Sequence, residues 1–582
     1  MEPDAKLRWA LEHRLFRQPF LRHEVFGLIK SSFKEASDET KQLVWEAAKN
    51  ADEDRQPADR EVEPIFARWL TEVDPDFKPA TKTLEAFADR HPEWEPSPHP
   101  EFLTWFEAGW EPASSDLPAA EQLHDLAALL QAETDDSSAF AHAELRDSIT
   151  AAVSESGSLG VELLEGLASA AEWDSVIWRG ATWGLQQAEL SEDDWSRLLN
   201  VVETHPDADV GLGNLSAILL DAIQAEPQRI TPPTFEDAAR VLESLVQRFL
   251  NEGRDTEAPR EDLMYDALNS WPGRVPQYIV QSAARLEVDG DDPCEAPGLR
   301  TFLTLVHGAP EGNWAQVSAV ALGRLFPYLW ERCRGLVEDL FLANLSWDQP
   351  GIARAAWTGL AYARWSRQTV EALYRYLPTT AARIEEFEER ARRGLTNTLV
   401  GIATTYGENP IAPEGWLRVL ARNSDDTTMA DFAHSVRRHV SGLTQDERGA
   451  LWNSWLHDYW SQRSQGFPRA IGPLEGSAML HLVYCFESEL EEVEPLVLQL
   501  PLAPRGWGFL RDLVGSGLAD RAPDSTLRVV RHVLSNADQL FDPESARQLL
   551  TTAAEHGAGQ EEVQSVCNEL VRLGSPPPEL CA

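Results

Sequence analysis

Apolar residues recur at every third or fourth position along most of the chain, which is the spacing of one face of an α-helix. Two such runs, Leu7–Phe16 and Glu24–Phe33, lie near the start, and a further helix is predicted to begin near Ser37. Alternating runs of Val, Ile and Thr bounded by turn residues, which are typical of strands, hardly occur. The pattern therefore predicts an all-α protein with little or no β structure.

The central part of the chain carries apolar faces that are wider than one partner helix can cover. One of these faces is formed by Trp357, Leu360, Ala361 and Trp365. A wide face needs a neighbouring helix on each side, and stacked helical hairpins supply those neighbours. No strict repeat length can be extracted, so we predict an irregular α-solenoid, similar to a HEAT-like superhelix, instead of a consensus repeat.

Lysine, proline and tryptophan mark the predicted organisation of the chain. All lysines lie in the first 90 residues, and proline and tryptophan concentrate in the segment that follows. Proline interrupts helices and aromatic rings favour a packed environment, so Trp94, Trp105 and Trp110 are predicted to be packed. Four regions are expected: a helical head at 1–90, a Pro/Trp-rich packed elbow at 91–118, a helical array at 119–400 and a C-terminal helical region at 401–582.

Polar residues mark several helix starts. Ser191, Thr234 and Thr444 each stand three residues before a carboxylate, which is the signature of a capping box. Asp542 precedes Pro543, and proline is tolerated at the first position of a helix because its missing N–H has no intrahelical partner there. We therefore predict helices that begin just after Ser191, Thr234, Thr444 and Asp542.

Length and charge narrow the class of protein. A chain of 582 residues is longer than a single hydrophobic core can accommodate, which indicates several domains or a repeat array. The formal net charge of −44 argues against binding to nucleic acid or to an anionic membrane surface, because phosphate contacts need a cationic surface, and no convincing basic patch is visible. The charge favours a protein partner with a basic face. No run reaches the roughly 18 apolar residues of a membrane helix.

The cysteines and the N-terminal residues suggest a compartment. The five cysteines are odd in number, lie far apart and form no CxxC pair. We therefore expect neither a zinc site nor a disulfide framework, which fits a reducing compartment. The N-terminal residues begin with acidic side chains and lack the continuous apolar core of a signal peptide, so a cytoplasmic location is predicted.

A search for catalytic motifs assigns no catalytic, cofactor-binding or metal-binding residue. The chain contains no GxxxxGK[ST], HExxH or GxSxG motif and no GxGxxG that opens a helix after a strand. His434 and His439 are five residues apart and thus on different helix faces, so a shared metal is not expected. The acidic run that ends at Glu389, followed by Arg390, is typical of charges that complement a helix dipole and form i,i+4 pairs.

One aromatic stripe offers candidate binding residues. Trp452, Trp455, Tyr459 and Trp460 recur at helical spacing. Such a stripe is typical of a helix that packs in a core. The alternative is a docking face for a partner protein, because tryptophan and tyrosine dominate the energetics of protein interfaces. These four residues are the candidate partner-binding residues.

Three segments resemble a known family, and they read HPEFLTWFEAGW at 99–110, ALNSWPGRVPQYIV at 267–280, and a longer run at 325–377 that begins LFPYLWERC. Together they resemble the helical C-terminal region, of the DUF4020 type, of bacterial proteins that carry a sirtuin-like (SIR2) domain and are associated with anti-phage defence. The likeness lies in aromatic, proline and glycine spacing. No segment matches the NAD-consuming sirtuin-like domain, so no effector residue is carried over.

The resemblance implies a non-enzymatic, protein-binding scaffold or sensor in bacterial antiviral defence. Its partner would be a separately encoded effector enzyme or a phage protein, and no cofactor, nucleic acid or membrane is expected to bind. Two alternatives stay open. One is an enzyme of hydrolase type with a site dispersed over Glu, Asp and Arg side chains of several helices, and the other is a truncated, inactive member of the family.

Overall fold

The computed structural model describes residues 3–12, 22–49, 62–88, 139–173, 175–253, 262–309, 312–405, 410–412, 415–504, 508–540 and 542–575. Helices and short turns account for these residues, and no strand occurs among them, so the all-α prediction is confirmed. None of the described helices is both long and apolar enough to cross a bilayer. The predicted elbow at 91–118, with Trp94, Trp105 and Trp110, lies outside the described residues.

The chain divides into two compact units, residues 1–117 and 118–582. In the first unit the described helices are α1 (Pro3–Glu12), α2 (Arg22–Ser32), α3 (Asp38–Lys49), α4 (Val62–Val73) and α5 (Lys78–Ala88). Their apolar faces form a separate core. Lys41 on α3 forms an ion pair with Asp74 after α4, with Nζ and Oδ2 2.6 Å apart, and joins these two helices at the edge of that core.

The second unit contains a long succession of helices. They are α6 (Ala139–Glu155), α7 (Gly157–Ala170), α8 (Val176–Leu185), α9 (Glu192–Glu203), α10 (Ala208–Gln224), α11 (Pro232–Asn251), α12 (Leu263–Asn269), α13 (Trp271–Asp289), α14 (Leu299–Gly308), α15 (Asn313–Arg332), α16 (Arg334–Leu340), α17 (Pro350–Leu360), α18 (Arg367–Leu373), α19 (Leu377–Ala382), α20 (Glu389–Thr405), α21 (Trp416–Asn423), α22 (Asp426–Ser441), α23 (Gln445–Leu451), α24 (His457–Ser464), α25 (Pro473–Leu480), α26 (Leu490–Val497), α27 (Phe509–Ser516), α28 (Leu518–Arg521), α29 (Pro523–Ser535), α30 (Pro543–Glu555) and α31 (Gln560–Arg572).

Helices of the second unit pack mainly against near neighbours in sequence. The helices α8, α10, α13, α15, α17, α20, α22 and α25 form a row in which each contacts the next, and α7, α9 and α11 follow one another beside it. One hydrophobic core accompanies the helices from Leu145 to Leu570. Residues of this core lie on both sides of residues 401–415. The domain boundary predicted between residues 400 and 401 stays a prediction.

The backbones of α15 and α17 come into direct contact. A Cβ atom added at Gly359 would lie 2.0 Å from the carbonyl oxygen of Val320, and one added at Gly323 would lie 2.2 Å from that of Ala356. Both distances are far below a van der Waals contact, and a carbonyl inside a packed helix cannot move away cheaply. Glycine at 323 and 359 therefore permits the close crossing of these two helices.

The predicted helix caps are mostly confirmed. The side chains of Ser191, Thr444 and Asp542 accept hydrogen bonds from backbone N–H groups of the first turn, and Thr444 forms a complete capping box. The start predicted after Thr234 is wrong. Helix α11 begins earlier because Pro232 occupies its first position, which places Thr231 at the cap and Thr234 inside the helix.

The expectation that the chain has no disulfide framework is also wrong. Cys294, in the 3-10 turn Pro293–Glu295, forms a disulfide with Cys333 at the end of α15, with Cα atoms 5.3 Å apart. This Cα separation lies in the usual range for disulfides. The two positions are separated by 39 in the sequence, so the sequence does not show the pairing. Helices α14 and α15 fold back and bring the two cysteines together.

We expect Gly359→Ala to destabilise the second unit by about 1–3 kcal/mol, because the added methyl group must push α15 and α17 apart. Gly335→Ala is the matched control: Gly335 is exposed in α16, and a Cβ there would meet no atom within 4 Å. Urea unfolding followed by tryptophan fluorescence measures both. Equal stability of the two variants would show that the crossing tolerates a side chain.

We expect the Cys294→Ser/Cys333→Ser variant to lose about 4 kcal/mol of unfolding free energy under non-reducing conditions, since a cross-link that closes a loop of this length restricts the unfolded chain. The comparison is wild type with and without a reducing agent, measured by urea unfolding. Cys567 is disulfide-bonded as well, so reduction should lower the stability of both proteins, but it should lower that of the wild type by about 4 kcal/mol more. Under reducing conditions the two proteins should be equally stable. A wild type insensitive to reduction would contradict the disulfide.

Candidate functional site

The aromatic stripe proposed for partner binding lies in the protein interior. Trp452 and Trp455 belong to a π-helical turn, Trp452–Leu456, between α23 and α24, and Tyr459 and Trp460 follow in α24. The exposed fractions of the four side chains are 1, 1, 5 and 0%. A docking face requires exposed rings, so the partner-binding interpretation of these four residues is corrected and the core interpretation holds.

Hydrogen bonds to other segments of the chain hold two of these rings. The indole Nε1 of Trp452 donates to Glu492 Oε2 at 2.8 Å, and that of Trp455 donates to the carbonyl oxygen of Ala403 at 3.0 Å. The second bond joins α24 and its preceding π-helical turn to the end of α20. Buried indole N–H groups favour such partners, and the stripe therefore stabilises the packing of several helices.

A buried ion pair lies at the end of the same helix. The guanidinium of Arg463 donates to both carboxylate oxygens of Glu475, at 2.7 and 2.6 Å, and neither side chain is exposed. Nη1 of Arg463 donates further to the carbonyl oxygens of Phe467 and Arg469. The pair joins the loop after α24 to α25. Because the two charges compensate each other inside the protein, a structural role is indicated.

The other sequence candidates also have structural partners. Arg393 forms the predicted i,i+4 ion pair with Glu389 at 2.9 Å. On α22, Nδ1 of His439 donates to the carbonyl oxygen of Ser435 at 3.0 Å. The ring of His434 instead lies edge-on to that of His481, with centroids 5.9 Å apart.

A concave surface on the row of helices gathers side chains that the sequence does not bring together. We call it the arginine concavity, and its volume is about 820 Å³. Helices α10, α12, α13 and α15 and the segment after α17 form its walls. Its lining residues are Leu220, Asp221, Gln224, Leu268, Arg274, Gln277, Gln281, Arg324, Leu325, Pro327, Tyr328, Glu331, Arg332, Tyr362, Ala363 and Arg364.

The charge of the arginine concavity is opposite in sign to that of the chain. Four of its lining residues are arginines and two are carboxylates, which leaves a formal excess of two positive charges. The whole chain carries a formal net charge of −44. The acidic composition predicts a partner with a basic face, whereas this surface would attract an anionic group.

Arg274 and Asp221 face each other across the wall between α10 and α13. Partial burial lowers the pKa of the Arg274 guanidinium, and the attraction of Asp221 opposes this shift. The surrounding walls displace enough water to raise the pKa of Asp221, while Arg274 and Arg229 act against that change. The two groups stabilise each other's charged forms without a direct hydrogen bond among the described residues.

Two arginines of the concavity have no counter-charge among the residues that the structure describes. Arg324 on α15 and Arg364 after α17 are exposed, and neither forms a hydrogen bond or an ion pair with a residue that the structure describes. Arg332 differs, because its Nε lies 3.1 Å from Oε1 of Glu287. Arg324 and Arg364 are therefore free to bind an external carboxylate or phosphate group in a bidentate manner.

Aromatic and aliphatic side chains complete the arginine concavity. The hydroxyl of Tyr328 donates to Glu287 at 3.2 Å, and burial, together with the Glu287 charge, raises the pKa of Tyr328 to about 12. Tyr362 is half-buried, and Leu268 is 41% exposed at the rim. A wall that contains arginines, tyrosines and an exposed leucine is suited to recognition of a ligand with both anionic and apolar parts.

The amino-acid sequence does not reveal this surface. Its charged residues come from positions 221 to 364 and are divided among α10, α13, α15 and the segment after α17. No local window of the sequence therefore shows a basic patch. A periodic comparison of the inner faces of successive helices could have found it, but only once the packing order was known.

Comparison with known proteins adds no assignment. No known protein-family model matches the chain, and no curated protein matches it significantly. The resemblance to the helical region of sirtuin-like defence proteins thus stays a prediction from the sequence.

We expect Glu475→Gln to destabilise the second unit by about 3–5 kcal/mol, because it leaves the guanidinium of Arg463 buried without a counter-charge. Glu371→Gln is the control, since Glu371 forms an exposed i,i+4 pair with Arg367. Urea unfolding monitored by circular dichroism compares the two variants. A loss for Glu475→Gln no larger than that of the control would mean that the buried pair adds nothing to stability.

Proposed function

We propose that this protein is a non-enzymatic, protein-binding scaffold of the irregular α-solenoid type, and that its arginine concavity binds an acidic segment of a partner protein. The observation that supports this most directly is the pair Arg324 and Arg364. Both are exposed and lack a counter-charge among the described residues, although the chain has 95 acidic residues. Unpaired arginines on a concave wall are suited to binding carboxylates from outside.

The chemistry of the concavity favours a short protein segment over nucleic acid. Its positive excess is only two charges, and Asp221 and Glu331 stand in the same wall. A nucleic acid extends beyond such a patch, and the acidic remainder of the chain would repel its phosphates. An acidic peptide can place two or three carboxylates on the arginines and an apolar side chain against Leu268 and the two tyrosines.

The row of helices that carries the concavity also supports a scaffold. Helices α10, α13, α15 and α17 contact one another in succession, so groups from distant parts of the sequence share one surface. Stacked helical arrays commonly use such continuous surfaces to hold extended partners. The partner segment would lie across several helices, and its affinity would depend on their relative positions.

Bacterial antiviral defence is the setting we propose, and its support is the resemblance of three segments to the helical region of sirtuin-like defence proteins. The partner would then be a separately encoded effector or a phage protein. A cytoplasmic location stays a prediction from the sequence. The Cys294–Cys333 disulfide counts against it, because reducing compartments disfavour disulfides.

The double variant Arg324→Glu/Arg364→Glu tests the proposal. A fluorescein-labelled peptide with four glutamates and one leucine serves as the probe, and fluorescence anisotropy at low salt measures its affinity. We expect the variant to bind at least about 100-fold more weakly, because each lost charge-assisted contact is worth about tenfold or more. Raising the salt concentration should weaken binding to the wild type.

Arg422→Glu is the matched control, since Arg422 is an exposed arginine on α21 outside the concavity. It changes the net charge in the same direction and should reduce the affinity only slightly. Absence of peptide binding by the wild type, or equal loss in both variants, would refute the concavity as the site. Tighter binding of a single-stranded oligonucleotide than of the peptide, abolished by the same double variant, would replace the protein partner by a nucleic acid.

A further inference from the structure

A second cavity, which we call the histidine pocket, lies among the C-terminal helices. Its volume is about 360 Å³, and it is bounded by α22, the end of α25, α27, α29 and the segments around residues 502–504 and 537–542. Most of its lining is aliphatic or aromatic, as shown by Leu480, Phe509 and Leu534. This size and character are those of a pocket for a small molecule.

Two imidazoles interrupt the apolar lining. His434 on α22 and His481 after α25 lie edge to face, with ring centroids 5.9 Å apart. Burial lowers the pKa of His434, and the neighbouring Arg437 guanidinium lowers it further. The same two causes lower the pKa of His481 to about 4, so both rings are neutral at physiological pH.

A network of hydrogen bonds holds the imidazole ring of His481 in place. Its Nδ1 lies 3.0 Å from the hydroxyl oxygen of Tyr484. That oxygen accepts from Arg437 Nη1 at 2.7 Å and lies 3.3 Å from Asp512 Oδ2. The ring of Phe509 packs against His481 at 5.4 Å. His481 is thus held by polar partners on one side and by an aromatic ring on another.

His434 differs from its neighbour. It lines the pocket, is half-buried and makes no hydrogen bond with a residue that the structure describes. The other ionisable groups of the lining are engaged: Asp431 pairs with Arg393 at 3.0 Å, and Asp542 caps α30. No group of three or more potential metal ligands occurs among the described residues.

Of the uncharged polar residues in the lining, Ser477 accepts a hydrogen bond from the backbone N–H of Ala503, and Thr427 and Gln539 are exposed. The imidazole of His434 is therefore a half-buried polar group with no hydrogen-bond partner among the described residues, and an incoming molecule could supply one.

We propose that the histidine pocket binds a small aromatic alcohol, such as a phenol, whose hydroxyl hydrogen-bonds with His434. A neutral imidazole offers one donor and one acceptor, which matches a hydroxyl, whereas it cannot neutralise a carboxylate. An apolar lining of this kind disfavours a charged ligand, because burial of an unpaired charge is costly. The rings of Phe509 and His481 favour an aromatic body over an aliphatic one.

Three ligands of one shape test the assignment on the full chain: 4-ethylphenol, ethylbenzene and 4-ethylbenzoate. Isothermal titration calorimetry at pH 7.5 compares their affinities. We expect 4-ethylphenol to bind about three- to tenfold more tightly than ethylbenzene, which corresponds to one net hydrogen bond. The benzoate should bind most weakly. Tightest binding of the benzoate would identify an anion site and overturn the proposal.

His434→Phe keeps an aromatic ring and removes both nitrogens. The variant should bind ethylbenzene as the wild type does and lose its preference for 4-ethylphenol. His439→Gln is the control, because His439 lies on the same helix outside the lining. In the wild type, imidazole ¹⁵N signals assigned to His434 should shift on addition of 4-ethylphenol, a readout that does not depend on the folding of a variant.

Two results would overturn the proposal. One is a preference for 4-ethylphenol that persists in His434→Phe. The other is the absence of binding of either neutral ligand to the wild type at millimolar concentration. A His434 signal that stays in place while 4-ethylphenol binds would move the ligand to another site and would overturn the proposal equally.

Discussion

The direct backbone contact between α15 and α17 is the constraint on which the arginine concavity depends. Gly323 and Gly359 let the two helices approach until the carbonyl oxygens of the opposite helix leave no room for a Cβ atom. Arg324 follows the first glycine, and Arg364 lies just beyond the end of α17. The distance between these two cations therefore depends on the crossing of the two helices and on the short segment that leads from the end of α17 to Arg364.

The need to cover apolar faces explains why the helices form a row. Each carries apolar residues on more than one side, and a helix with wide apolar faces can be stable in water only when neighbours cover them. Residues on the remaining side of α10, α13 and α15 stay accessible and line the concavity. Packing thus selects which polar side chains become neighbours, although nothing in their sequence positions relates them.

Local signals predicted local structure well. The 3.6-residue period gave the all-α class, and the capping hydroxyls of Ser191 and Thr444 marked true helix starts. The helix start predicted after Thr234 was wrong because the helix begins at Pro232. The backbone angle that the proline ring fixes is already helical, so it favours a helix that starts there. The aromatic stripe at Trp452 was correctly placed on a helical segment, but periodicity alone cannot tell whether the covering surface belongs to the same chain.

Features that depend on contacts between distant parts of the chain could not be predicted from the sequence. The Cys294–Cys333 pair, the buried Arg463–Glu475 pair and the arginine concavity each join positions whose proximity follows from helix packing. Net charge has the same limit as a predictor. An average over 582 residues has no bearing on a surface formed by sixteen of them, and the sign of the field there is set by the nearest few groups.

The disulfide has a mechanical consequence. Tension applied to the two ends of the second unit would draw out its helices one after another, but the stretch enclosed by Cys294 and Cys333 could not lengthen while the bond is intact. About 130 Å of extensible chain would be withheld, given the reach of an extended polypeptide. The second unit would thus resist pulling unevenly along its length, and α14 and α15 would be protected from extension while the bond is intact.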